Sequence, residues 1–222
     1  MGEQLIMYID MVKKEINLKL VYYGAGLGGK TTNLRWLYEH APSDQTGEMV
    51  SLATEVDRTL FFDFMPLEAG TVGGFKVRLH LYTVPGQVFY EATRQLVVKG
   101  ADGVMLVADS QSVRMDANVE SLQGLKQHLQ SHGLDLKSLP YVVQCNKRDL
   151  PNVASIAEMR AELNFKDEPF VEASAASGEG VMESLKKLGQ LVIRDLREHD
   201  KLARALASPN APQPSNAQST VR

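Results

Sequence analysis

The chain has 222 residues, 44% hydrophobic and 23% charged, with a formal net charge of -3. That is globular composition with length for one domain and a full core, and it excludes a fully disordered chain and one that meets nucleic acid through an overall basic field. The single cysteine, Cys145, excludes an intrachain disulfide, and the lack of any apolar run of about 18 residues excludes a membrane-spanning helix.

In chain order, residues 1–14 read as an N-terminal extension. Its start, Met1-Gly2-Glu3-Gln4-Leu5-Ile6, has no signal-peptide core and puts Ile6 where a myristoylation signal needs Ser or Thr. The C-terminal Ser219-Thr220-Val221-Arg222 has no prenylation box, so the expectation is a cytoplasmic protein without a lipid anchor or integral membrane segment. Residues 15–23 alternate and then turn apolar, as a strand entering a core does. A glycine-rich turn follows at residues 24–29, and residues 31–40 read as a helix with Leu34 and Leu37 on one face and Trp36 packing at its flank.

Residues 41–58 read as a long polar loop, which in a compact domain tends to be functional. A strand is expected over 59–65, then a hairpin through Glu68, Gly70, Gly73 and Gly74, then an alternating strand over 75–82. In that strand Val77, Leu79 and Leu81 face the core, while Lys76, Arg78, His80 and Tyr82 take the solvated side. Further strands are expected at 103–108, 141–145 and 169–173, with Cys145 buried in its run. Helices are expected at 88–99, 115–131 and 156–163, and a last helix from about Gly180 presents Val181, Leu185, Leu188, Val192 and Leu196 to the sheet. After about Ala207 the composition shifts to Ser, Pro, Asn, Ala and Gln, and residues 201–222 read as a disordered tail. The alternation predicts an α/β domain over 15–200, a mixed and mostly parallel six-stranded sheet flanked by helices, with ligand chemistry at the carboxyl ends of the strands.

The leading chemical signal is Gly24-Ala25-Gly26-Leu27-Gly28-Gly29-Lys30-Thr31, a phosphate-loop pattern between a strand and a helix. Glycines let backbone N–H groups approach phosphate oxygens, and the helix N-terminus adds positive potential. Gly24, Gly26, Gly28, Gly29, Lys30, Thr31 and Thr32 are the expected nucleotide contacts, with Lys30 on the β- and γ-phosphates and the Thr31 hydroxyl on Mg²⁺. Asn146-Lys147-Arg148-Asp149 then selects the base. An aspartate accepts hydrogen bonds from the N1–H and 2-amino group of guanine, a donor pair that adenine lacks, and a site left unpaired discriminates by ~10⁴-fold. The Lys147 stem can cover the base, and Asn146 can tie this loop to the phosphate loop. In Thr83-Val84-Pro85-Gly86-Gln87, the Gly86 N–H can meet a γ-phosphate and the Gln87 amide can orient the attacking water. Thr59 is a further Mg²⁺ ligand candidate, and Ser174-Ala175 can offer backbone N–H groups to guanine O6.

These motifs, in this order, resemble the Ras-like GTPase superfamily. Val21-Tyr22-Tyr23-Gly24, Lys30-Thr31-Thr32-Asn33-Leu34, Arg58-Thr59-Leu60-Phe61-Phe62-Asp63-Phe64 and the run from His80 to Tyr90 are similar to the MglA family of gliding and cell-polarity GTPases, over residues 15–196. The resemblance implies GTP/GDP and Mg²⁺ as ligands, and Arg58 as a built-in arginine finger beside Gln87. It further implies a roadblock-domain activator similar to MglB, polarity or motility effectors as partners, and a place at a cell pole. It also implies that Thr83 stands where most Ras-like GTPases carry an aspartate that holds Mg²⁺ through water. That neutral hydroxyl favours the rival reading, a GTP-binding interaction protein that hydrolyses little and signals by occupancy. Aromatic groups on both faces around Asp63 predict a strand able to change register with the nucleotide.

Overall fold

The computed structural model describes residues 8–53, 61–86, 90–163 and 167–198. Arg58, Thr59 and Gln87 lie outside the described residues, as do residues 1–7 and the expected tail at 201–222. The elements run β1 (Tyr8–Asp10), β2 (Glu15–Tyr23), α1 (Lys30–His40), β3 (Val50–Ala53), β4 (Phe61–Val72), β5 (Phe75–Thr83), α2 (Glu91–Val98), β6 (Gly103–Asp109), α3 (Met115–Ser131), β7 (Tyr141–Asn146), α4 (Ile156–Leu163), β8 (Phe170–Glu172) and α5 (Val181–Glu198).

The sheet order is β3-β4-β5-β2-β6-β7-β8, with β1 paired to β2. β5, β2, β6, β7 and β8 are parallel, and the β1, β3 and β4 pairings are antiparallel. The mixed, mostly parallel α/β fold is the one expected, but the sheet has eight strands among the described residues instead of six. The two additions are short. β1 lies in the segment read as an extension, and β3 lies in the segment read as a long loop. Three or four residues carry too little pattern to mark a strand, and what holds these two is pairing to a longer neighbour. The hairpin expected through Glu68, Gly70, Gly73 and Gly74 turns at Gly73-Gly74, and β4 reaches it by way of a register shift between Glu68 and Thr71.

Every residue of β6 and of β7 is buried, because helices cover both faces of the central sheet. One core lies under α1 and α5, where Leu34, Leu37, Val181, Leu185, Leu188, Val192 and Leu196 meet the sheet as their spacing predicts. Trp36 packs half-buried at this core's edge and stacks on His40 at 4.3 Å. The second core lies under α2, α3 and α4 and includes Cys145, whose thiol burial pushes up to about 12. One expectation fails here. His80 is half-buried, bonded to Asn17 Oδ1 at 2.8 Å and stacked on Phe64 at 5.6 Å. Burial holds it below its ordinary value. The pairing of β4 with β5, Phe64 opposite Tyr82, brings the Phe64 ring over a face that would otherwise meet water.

Candidate nucleotide site

β2 is the point where the chain's strand order reverses, with β5 on one side and β6 on the other. The loop leaving its carboxyl end therefore lies at the topological switch point, the place where such sheets take ligands. That loop is Gly24 to Gly29, and α1 starts directly after it. Gly29 has φ 98, a left-handed backbone that glycine adopts without steric cost, and any Cβ there would collide with the Asn146 amide. No side chain caps α1 and no acid sits in its first turn. Its leading N–H groups thus keep their positive character for an anion.

Lys30 is buried, and its ammonium donates to the carbonyls of Gly24 and Ala25, each at 2.8 Å. Burial lowers it to about 7, the Arg94 guanidinium pushes the same way, and Asp63 opposes. Thr32 is exposed beside it, and Gly28 lies buried under Val107. Gly86 approaches Gly26 so closely that a Cβ on Gly86 would overlap the phosphate-loop backbone. The Pro-Gly turn after β5 is therefore seated on the loop. Gln87, one residue further, lies outside the described residues.

The base motif follows β7. Asn146 is fully buried, donating from Nδ2 to the Gly28 carbonyl at 2.8 Å and accepting the Ala175 N–H on Oδ1 at 2.8 Å. One amide thus joins the phosphate loop, the base loop and the Ser174-Ala175 turn. Ala175 was expected to aim its N–H at guanine O6, and in this structure that N–H is engaged by Asn146. Ser174 is buried, its N–H bonded to the Glu179 carbonyl at 2.9 Å. Lys147 takes φ 67 and its ammonium meets Asp109 at 2.7 Å, which lays the stem across the loop. Asp149 is exposed. Arg148 anchors the turn from beneath, with Nη1 on the Ala154 carbonyl at 2.6 Å and Nε on Glu172 at 2.9 Å.

Three residues outside the sequence motifs join the site. Arg114 donates to the Gly26 carbonyl at 2.9 Å, from a turn that sequence does not tie to the loop. Asp109, buried at the end of β6, holds Lys147. Asp63 on β4 accepts the Thr31 hydroxyl at 2.6 Å. Its signal in sequence was an acid enclosed by Phe61, Phe62 and Phe64, an odd place for a carboxylate unless something polar meets it. The hydroxyl and carboxylate oxygens gathered here are the hard donors that a Mg²⁺ ion takes.

Comparison with known proteins fits this geometry. The Ras family profile matches residues 48–194, which leaves out the phosphate loop, so loop and profile point the same way independently. The chain is 53% identical over 191 residues to "Mutual gliding-motility protein MglA" of Myxococcus xanthus, covering 86% of this chain and 98% of that protein. It is 27% identical over 128 residues to "Ras-related protein Rab-5B" of Plasmodium falciparum, 56% of this chain and 58% of that one. It is also 27% identical over 181 residues to "ADP-ribosylation factor-like protein 2" of Drosophila melanogaster, 79% and 87%. No helix among the described residues is long and apolar enough to cross a membrane. A phosphate loop and a base loop tied through one amide, on a sheet of this order and with these relatives, make the chain a Ras-family small GTPase of the MglA group.

Proposed function

We propose that this chain is a guanine-nucleotide switch that binds GTP with Mg²⁺ and hydrolyses it to GDP, slowly until an activating partner docks. The observation that carries this reading is Asn146, whose one amide couples the phosphate loop to the loop that would read guanine. Asp149 would accept the guanine N1–H and 2-amino group, with the Lys147 stem along the base. Gly24, Gly26, Gly28, Gly29, Lys30, Thr31 and Thr32 would cradle the phosphates. Gly86 would meet the γ-phosphate from the opposite side, and the Ser174-Ala175 turn would close the base end. Thr31 and Thr59 would hold Mg²⁺, which when bound neutralises charge on the β- and γ-phosphate oxygens.

In hydrolysis a water held by Gln87 attacks the γ-phosphorus while the bond to the β-phosphate oxygen breaks, and Arg58 faces the charge that develops. The relative from Myxococcus carries a gliding-motility name, which supports a role in motility or cell polarity. A roadblock-domain activator similar to MglB and effectors that recognise the GTP form would then be the partners, met in the cytoplasm at a cell pole. The test is single-turnover GTP hydrolysis with and without such an activator, for wild type and Arg58→Ala. Nucleotide affinity should stay near wild type while the stimulated rate drops at least ~100-fold, the low side of an arginine-finger effect. A stimulated rate within about threefold of wild type would put the cation on the partner. No hydrolysis by wild type under any condition would favour the occupancy-only reading.

A further inference from the structure

β7 carries two amides, Gln144 and Asn146, which stand two residues apart and so share one face of the strand. That face looks on α1 and α5, whose core takes Val142 from the same row. Asn146 joins the loops at the carboxyl end of the strand. Gln144, one layer deeper, joins the two helices. Its Nε2 donates to Asn33 Oδ1 on α1 at 2.9 Å and to Ser184 Oγ on α5 at 3.1 Å. Asn33, Gln144 and Ser184 are all fully buried. The Ser184 hydroxyl donates in turn to the Gly180 carbonyl at 2.7 Å. Asn33 gives two hydrogen bonds to one acceptor, the Gly29 carbonyl, from its backbone N–H at 3.0 Å and from Nδ2 at 2.9 Å.

A carbonyl can only accept, so Asn33 must turn Nδ2 to Gly29 and Oδ1 to β7, where Gln144 answers as the donor. Gln144 Oε1 has no hydrogen-bond partner among the described residues. A buried amide left half-satisfied stabilises no better than an apolar side chain of its size. What the amide supplies is direction. The Gly29 carbonyl and the Lys30 N–H belong to one planar trans peptide and point opposite ways. With the carbonyl held back along α1 by Asn33, the Lys30 N–H points out of the helix start, toward the place a phosphate would take. We infer that Gln144 is a positioning residue for the diphosphate: through Asn33 it holds the Gly29-Lys30 peptide so that the Lys30 N–H meets a β-phosphate oxygen.

This inference rests on the phosphate-loop reading above and deepens it. The full chain is loaded with a fluorescent GDP analogue to follow release, and with GDP to record the phosphorus NMR resonance of the bound β-phosphate. Gln144→Leu should release the nucleotide about 10–100-fold faster than wild type, the range for misaligning one hydrogen bond to a charged group. Its β-phosphate resonance should move toward that of free GDP. The double variant Asn33→Leu/Gln144→Leu separates position from stability, because it removes both polar partners and leaves neither amide stranded. Its nucleotide-free melting temperature should lie within about 3 °C of wild type, yet its release should stay at least ~10-fold faster. Ser184→Ala leaves the path from Gln144 through Asn33 to Gly29 intact and should release within about threefold of wild type.

The double variant decides the matter should Gln144→Leu fail to fold. If its release returns to within about threefold of wild type, Gln144 serves stability alone and the inference is overturned. Unchanged release or an unmoved β-phosphate resonance in Gln144→Leu overturns it too. So does release from Ser184→Ala as fast as from Gln144→Leu, which would route the effect through α5 instead of Gly29. A wild-type chain that binds no GDP overturns this inference and the phosphate-loop reading together, whereas a wild type that holds GDP beside variants that hold it equally overturns this inference alone.

Discussion

Removing the Asn146 side-chain amide should weaken the protein and its grip on nucleotide together. Asn146→Ala strands two buried groups, the Gly28 carbonyl and the Ala175 N–H, each now bonded at 2.8 Å. A buried polar group left unpaired costs about 1–3 kcal/mol, so the pair is worth roughly 2–4 kcal/mol once the loops relax. At about 2–4 °C per kcal/mol for a domain of this size, the nucleotide-free melting temperature should fall by about 4–16 °C. Both freed loops belong to the nucleotide site, so GDP release should also speed at least ~10-fold, the equivalent of 1.4 kcal/mol of the loss. Asn146→Asp is the informative comparator. It keeps an acceptor for Ala175 but turns an oxygen toward the Gly28 carbonyl, and it should be at least as damaging as alanine. Thermal melts with and without excess GDP, together with release of a fluorescent GDP, measure both effects. A melting temperature within about 1 °C of wild type and release within about twofold would refute the coupling of the two loops through this amide.

Base choice should follow Asp149: Asn there offers a donor in place of an acceptor, so GTP affinity should fall at least ~10-fold and xanthine nucleotide should bind. Equal wild-type affinity for ATP and GTP would sink that assignment. Lys30 makes the site pH-sensitive in two opposite ways. Its folded value of about 7 lies below the free value of 10.5, so between the two the unfolded chain holds a proton the folded one has released, and nucleotide-free stability rises with pH across that window. Lys19, lowered to about 8 by burial, adds in the same direction, so the Lys30 share is the difference between wild type and Lys30→Ala. A bound phosphate keeps Lys30 charged, so GDP binding should take up a proton above pH 7 and weaken as pH rises; calorimetry in two buffers of different ionisation heat showing no proton uptake there would reject this. Finally, β4 now pairs Phe64 with Tyr82 and Met65 with Leu81. A GTP-analogue structure, with and without a partner, should show the segment 59–65 shifted in register, and identical pairing in GDP and GTP-analogue forms would be evidence against a moving strand.

Local pattern and nearest-neighbour chemistry are readable in the chain alone. The phosphate loop is one run of backbone, and its glycines stand in the order that a close approach to an anion would need. The base motif is another such run, at the end of an all-apolar strand. The face of α5 is legible because Val181, Leu185, Leu188, Val192 and Leu196 repeat with the helix itself. Strands such as β2 could be bounded because alternation gives way to full burial at a definite residue.

Features that depend on partners far away in the chain are not readable there. β1 and β3 are too short to hold their form alone, and each is a strand because β2 or β4 offers it a ladder. His80 reads as a solvated strand residue until β4 lays Phe64 against it. Asp63 was visible only as an acid among aromatics. Its meaning comes from Thr31, 32 residues away, and Thr83, 20 residues away, which meet it only after β4 and β5 pair beside the loop of β2. Periodicity reports which face a residue takes, but a hydrogen bond between three strands' worth of chain is set by register, and register is a property of the assembled sheet.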